Sequence, residues 1–173
     1  MLTKEVEKAI NEQINAELWS AYLYLSMSMD FASKGFAGIA NWYAVQFKEE
    51  QDHATILMNY VNSRDGKVIL APIAAVDTEW PSPVAAFEAT LAHEKKVTAL
   101  INNLNAVAVE ARDYATQNML QWFINEQVEE EDNARGYVDA LRKIGDNGYG
   151  LYMFDKELAA RAYSTPSPLA GKE

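Results

Sequence analysis

The chain has 173 residues, no cysteine, and 25 acidic residues against 15 basic ones, for a formal net charge of −10. That length suits one domain with a self-sufficient core. The lack of thiols excludes disulfides, zinc ribbons and cysteine catalysis, and the acidic excess opposes nucleic-acid binding through the bulk surface. With no apolar run behind a basic start and no stretch near ~18 apolar residues, a soluble, cytoplasmic chain without a membrane span is expected.

The first predicted helix covers about 3–34, because Thr3 to Ser33 holds neither Gly nor Pro and Lys34-Gly35 supplies a stop. A second, about 36–65, ends at Asp65-Gly66. Lys67 to Pro81, with Pro72 and β-branched residues, is a connection. Ser82 and Pro83 have the chemistry of an N-cap and first turn for a third helix of about 82–111. Only Gly136 interrupts the following stretch of about 60 residues, which as one rod would be ~90 Å long and too extended for a compact domain. A break near Ala111-Arg112-Asp113 therefore gives a fourth helix of about 113–144. Gly145, Gly148 and Gly150 read as its end, Asp155 as the cap of a short fifth helix over 155–163, and residues 164–173, with Pro166 and Pro168, as a flexible tail beyond a single domain of 1–163. The connection before the third helix is longer than a hairpin needs, so it can run the length of the molecule and leave helices two and three parallel. The predicted fold is all-α, an antiparallel four-helix bundle with one long crossover and a short fifth C-terminal helix.

Spacings of three and four define one apolar seam per helix. These are Ile10, Ile14, Glu17, Ala21, Tyr24, Ser28 in the first and Ile39, Tyr43, Gln46, Glu50, His53, Leu57, Tyr60 in the second. The third has Val84, Phe87, Leu91, Glu94, Val97, Ile101, Leu104, Ala108; the fourth has Leu120, Phe123, Gln127, Glu130, Ala134, Tyr137, Leu141. Glu17, Glu50, His53, Glu94, Gln127 and Glu130 interrupt these seams near mid-helix, so four carboxylates are expected in one buried layer.

An unpaired carboxylate in a dry core costs several kcal/mol, against a total domain stability of ~5–15 kcal/mol. No Lys or Arg occupies a seam at this height, so the carboxylates are either protonated together or hold cations. Two divalent ions would balance four carboxylates beside a neutral His53. Glu50 and His53 form a Glu-x-x-His step on one helix face, which with single glutamates from other helices is the ligand pattern of carboxylate-bridged dinuclear sites in bundles. Oxygen ligands with one imidazole suit iron or manganese. Glu49, Glu126 and Glu129 each stand one position before a seam residue, where they flank the site or are simply solvated. His93 is read as a surface residue and Trp122 as packing. Leu18 to Leu25 and Trp42 to Phe47 are apolar around more than one face, which points to oligomerisation.

These residues resemble the ferritin family, and within it the bacterial non-haem ferritins. The likeness lies in Asn11-Glu12-Gln13-Ile14-Asn15-Ala16-Glu17-Leu18, Glu49-Glu50-Gln51-Asp52-His53-Ala54, His93-Glu94 and Glu126-Gln127-Val128-Glu129-Glu130, in that order from Thr3 to about Tyr163. The resemblance implies a ferroxidase that oxidises Fe(II) with O2 or H2O2 at a di-iron centre and stores ferric mineral inside a 24-subunit shell. It implies Glu17, Glu50 and His53 at a first iron, Glu50, Glu94 and Glu130 at a second with Gln127 beside it, and Glu49, Glu126, Glu129 and Glu130 at a third. Tyr24 matches a tyrosine thought to supply an electron. Bacterioferritins carry a second Glu-x-x-His where this chain has Gln127-Val128-Glu129-Glu130, and bind haem through a methionine where it has Asp52, so no haem is expected. Rubrerythrins need cysteine. The alternatives are a related di-iron peroxidase or oxidase that retains its metals, and a purely structural bundle.

Overall fold

The computed structural model describes residues 1–171, and no strand occurs among them. Helices α1 (Lys4–Ser33), α2 (Ala37–Ser63), α3 (Pro83–Glu110), α4 (Tyr114–Ile144) and α5 (Gly148–Leu158) follow in chain order. Thr3, Ser82 and Asp113 cap α1, α3 and α4 by accepting from the N–H of Val6, Ala85 and Thr116, which satisfies donors that a helix start leaves bare. α1 ends on Gly35 at φ 83°. After α2 the left-handed residue is Asp65 at φ 58°, not the neighbouring Gly66.

The crossover between α2 and α3 lies along α1 in the same direction. Asn11 bonds Lys67 and Ile69, Asn15 reaches Ala71 and Pro72, Trp19 reaches Ala75, Ser26 reaches Asp77, and Asp30 accepts from Trp80. Since α2 runs back along α1, this path returns the chain to the opposite end and sets α2 and α3 parallel. The core is split in two. One cluster gathers around Tyr24, Phe31, Tyr43 and Phe87, the other around Ile10, Ile14, Leu57, Ile101 and Phe123. Between them lies the polar layer of Glu17, Gln46, Glu50, His53, Glu94, Gln127 and Glu130, all buried.

The fifth helix differs from expectation. It begins at Gly148 rather than Asp155, with Asn147 accepting from the Gly150 N–H at 3.0 Å. Two glycines are tolerated because they fall in its first turn, and a Cβ at Gly150 would press on Ile144 at 3.1 Å. Asp155 caps a different helix: its carboxylate accepts from the Ile39 N–H at 2.9 Å, where Phe36 offers α2 no side-chain cap.

The segment after α5 lies on the bundle. Tyr163 donates to Asp52 at 2.6 Å, and Leu169 packs against the second core cluster. Residues 172 and 173 of the expected tail lie outside the described residues. Trp42 finds its apolar neighbours within the chain, against Tyr43, Phe87 and Tyr137, so its second face needs no partner subunit. Tyr22 and Met29 of α1, by contrast, remain about half exposed, as do Ile69 and Ile73 of the crossover. No helix among the described residues is long and apolar enough to cross a membrane.

Candidate metal centre

Four helices each bring a carboxylate to the layer: Glu17 from α1, Glu50 from α2, Glu94 from α3 and Glu130 from α4, none more than 6% exposed. One ligand atom from each of Glu17, Glu50 and His53 falls within 4.8 Å of the others. His53 Nδ1 is 3.3 Å from Glu50 Oε2 and 3.9 Å from Glu17 Oε2. Both of those oxygens are buried without a hydrogen-bond partner. An orphaned acceptor in a dry layer is unfavourable unless something positive meets it. The rings of Trp122 and Phe123 stand edge-on to the His53 imidazole at 5.4 and 5.8 Å, forming an apolar wall.

Four of the other carboxylate oxygens, on Glu17, Glu94 and Glu130, are held by neutral donors. Gln13 gives its amide N–H to Glu17 at 2.8 Å, Gln46 to Glu130 at 3.1 Å and Gln127 to Glu94 at 3.2 Å, while the Tyr24 hydroxyl donates to the second oxygen of Glu94. These bonds fix the carboxylates without neutralising them. Burial pushes Glu17 well above the ordinary carboxyl range, and the Glu50 charge adds to it. Glu50 is raised by burial and then by Glu94; Glu130 is pushed up to about 8 by burial, with Glu94 and Glu49 adding to it. Glu94 is raised by burial, against the hydrogen bonds from Tyr24 and Gln127. The metal-free layer thus has a strong affinity for positive charge, whether protons or metal ions. Four carboxylates and one imidazole suit hard or borderline divalent metals such as Fe(II).

The flanking acids do not form a comparable group. Glu49 is half-buried and its carboxylate is taken by Arg161 Nη2 at 2.6 Å; Glu126 is half-buried and Glu129 exposed. Among the described residues, the only clustered set of three or more potential ligands is Glu17, Glu50 and His53. His93 also departs from the surface reading. It stands in the groove between α1 and α3, with Nε2 at 2.8 Å from the Ser20 hydroxyl and its ring against Trp19 and Tyr24. Burial, aided by Lys96, lowers its imidazole to about 4 and keeps it neutral. Gln13 and Arg161 escaped the sequence reading. Gln13 lies one helical turn before Glu17, a usable signal; Arg161 lies 112 residues from its partner and gave none.

A family model for the ferritin-like domain matches residues 7–144. The chain is 41% identical over 161 residues to a bacterial non-heme ferritin of Bacteroides fragilis, covering 93% of this chain and 100% of that one. It is 40% identical over 164 residues to the bacterial non-heme ferritin of Staphylococcus epidermidis, covering 95% and 99%. Among solved structures it is similar to the open-pore ferritin of the archaeon Archaeoglobus fulgidus, at a TM-score of 0.93 and 44% identity over 94% of this chain and 100% of that one. A family model spanning most of the chain, and relatives matched nearly end to end, show that it belongs to the ferritin family.

Proposed function

We propose that the chain is an iron-storage ferroxidase, binding two Fe(II) ions in the carboxylate layer, oxidising them with O2 or H2O2, and passing Fe(III) into the interior of a hollow homo-oligomeric shell in the cytoplasm. The observation that carries this reading is the pair of orphaned oxygens on Glu17 and Glu50 facing His53, in a layer with four carboxylates and, among the described residues, no buried Lys or Arg. Glu17, Glu50 and His53 would hold one iron, Glu50, Glu94 and Glu130 the other, with Gln127 and Tyr24 orienting Glu94. Glu50, from the middle of the layer, is suited to bridge. Two adjacent irons lose one electron each, which reduces dioxygen to peroxide, or peroxide to water. Carboxylates bind Fe(III) more strongly than Fe(II) and so favour the oxidised pair. Glu126 and Glu129, beside the layer on α4, offer the product a route toward solvent. The ferritin relatives, and the apolar residues left exposed on α1 and the crossover, support the assembled shell.

Aerobic addition of Fe(II) to the metal-free protein tests this, with Glu50→Ala as control and size measured in parallel. The wild type should oxidise iron rapidly, accumulate far more than about two ions per chain and run as a large assembly, and the variant should lose the fast phase. Uptake that stops at the dinuclear pair would instead identify a di-iron oxidase or peroxidase. Equal, slow oxidation by both proteins as small species would refute both readings.

A further inference from the structure

Beyond α5 the chain turns back along α2, and Arg161 is fixed there at several points. Its Nη2 donates to Glu49 at 2.6 Å and its Nη1 to the Trp42 carbonyl at 3.2 Å, while the guanidinium lies 4.7 Å from the centre of the Trp42 ring. Its own carbonyl accepts from the Asn41 amide at 2.9 Å. The Arg161 and Glu49 side chains are 24% and 23% exposed, so this pair is largely withdrawn from water. An arginine placed in this way has lost most of its freedom and presents its charge at one spot.

That spot adjoins the dinuclear layer. Glu49 feels His53 and Glu126 as well as Arg161, and Glu130 feels both Glu49 and Arg161. A guanidinium thus sits among carboxylates at the edge of a metal centre, bound to the one acid that a further cation would need. We propose that Arg161 is a built-in cation that occupies the position beside Glu49, limiting the centre to two metal ions and denying a third ion its ligand. The inference rests on the dinuclear reading above. A divalent ion would have to displace a charge-assisted hydrogen bond and then lie next to a positive group. Without Arg161, the Glu49 carboxylate would stand uncompensated, with Glu126 and Glu130 close enough for their charges to couple to it.

Anomalous-scattering maps from crystals of the assembled, metal-free protein soaked in Zn(II), together with anaerobic Fe(II) binding counts, test the proposal. Wild type and Arg161→Lys should show two metal peaks per chain and none on Glu49, whereas Arg161→Gln should gain a third peak ligated by Glu49, raising the Fe(II) count from two to three. A third metal on Glu49 in the wild type overturns the proposal, as does its absence from a folded Arg161→Gln protein. If Arg161→Gln does not assemble, the wild-type map decides. Failure of the dinuclear reading looks different, because no form would then hold metal at Glu17, Glu50 and His53.

Discussion

The hydroxyl of Tyr24 donates to Glu94 across the α1/α3 interface, and the Gln127 amide holds the other oxygen of the same carboxylate. Burial, then the Glu94 charge, raise the Tyr24 phenol far above its ordinary value, so it stays a donor at any physiological pH. Its ring lies 5.9 Å from both Tyr43 and His93. Tyr24→Phe removes the donor and keeps the packing. The metal-free variant should lose ~1–3 kcal/mol, the cost of stripping one partner from a buried polar group. Fast iron oxidation should slow by about tenfold or more, a barrier change of ~1.4 kcal/mol, if Glu94 needs this bond to present its free lone pairs. Stopped-flow oxidation and denaturant titration would show this; an unchanged rate would confine Tyr24 to structure.

The raised carboxyls predict how pH acts on the metal-free protein. Burial and the charges of Glu94 and Glu49 move Glu130 from 4.5 to about 8. A folded-state value above the unfolded one means that the folded chain holds the proton more tightly. The resulting stabilisation is fully present below about pH 4.5 and is lost as pH rises through about 8. Metal-free wild type should therefore lose stability relative to Glu130→Gln between about pH 5 and 8, by up to a few kcal/mol. Divalent metal should reverse the order, because it supplies the wild type with the charge that the proton no longer provides. Denaturation midpoints with chelator and with Zn(II) measure both effects. A pH-independent difference between the two proteins would contradict this account.

How much of this was legible in the sequence depends on how local each signal is. Glu17, Glu50, His53, Glu94 and Glu130 were readable because helical periodicity projects each onto an apolar seam, and charge on a seam is conspicuous. The crossover was readable from its length and Pro72. Gly148 and Gly150 misled, because glycines that break a helix interior are acceptable in a first turn. Asp155 looked like the cap of its own helix, yet it serves Ile39, 116 residues away, a pairing that no local window contains. His93 sits one position off its seam, and only the closeness of α1 turns that flank inward against Ser20 and Trp19. Arg161 follows the last helix with no periodicity to place it.

The junctions between helices make a separate prediction. Arg64 at the end of α2 donates both Nη1 and Nη2 to Asp113, at 3.2 and 3.1 Å, and the same carboxylate caps α4 by accepting from the Thr116 N–H at 3.1 Å. One side chain thus ties two chain reversals at the same end of the bundle. Asp113→Asn retains the cap but not the ion pair, whereas Asp113→Ala loses both. The alanine variant should lose ~1–2 kcal/mol for the cap and up to ~1 kcal/mol for the partly exposed pair, and the asparagine variant only the second amount. Thermal or urea unfolding of the metal-free proteins separates the two. Equal losses would mean that the cap contributes nothing here.

The docking of α5 depends on a missing side chain. A Cβ built at Gly38 would lie 1.6 Å from the Asp155 carbonyl oxygen and 3.0 Å from the Ala159 nitrogen, both backbone atoms that cannot rotate away. Gly38→Ala must therefore push α5 off α2, breaking the Asp155 cap on Ile39 and loosening the segment that carries Arg161. Overpacking against rigid atoms costs ~1–3 kcal/mol or more. Gly136, by contrast, is an exposed position within α4 where an added Cβ meets nothing within 4 Å. Gly136→Ala should stabilise by ~0.5–1 kcal/mol, since alanine loses less backbone entropy in a helix. Unfolding midpoints should thus move in opposite directions for the same chemical change. The Gly38 variant should also bind extra metal as the Arg161→Gln protein does, because displacing α5 withdraws the guanidinium from Glu49. Unchanged stability in Gly38→Ala would show that α5 can shift at no cost, and that its contact with α2 does not fix Arg161.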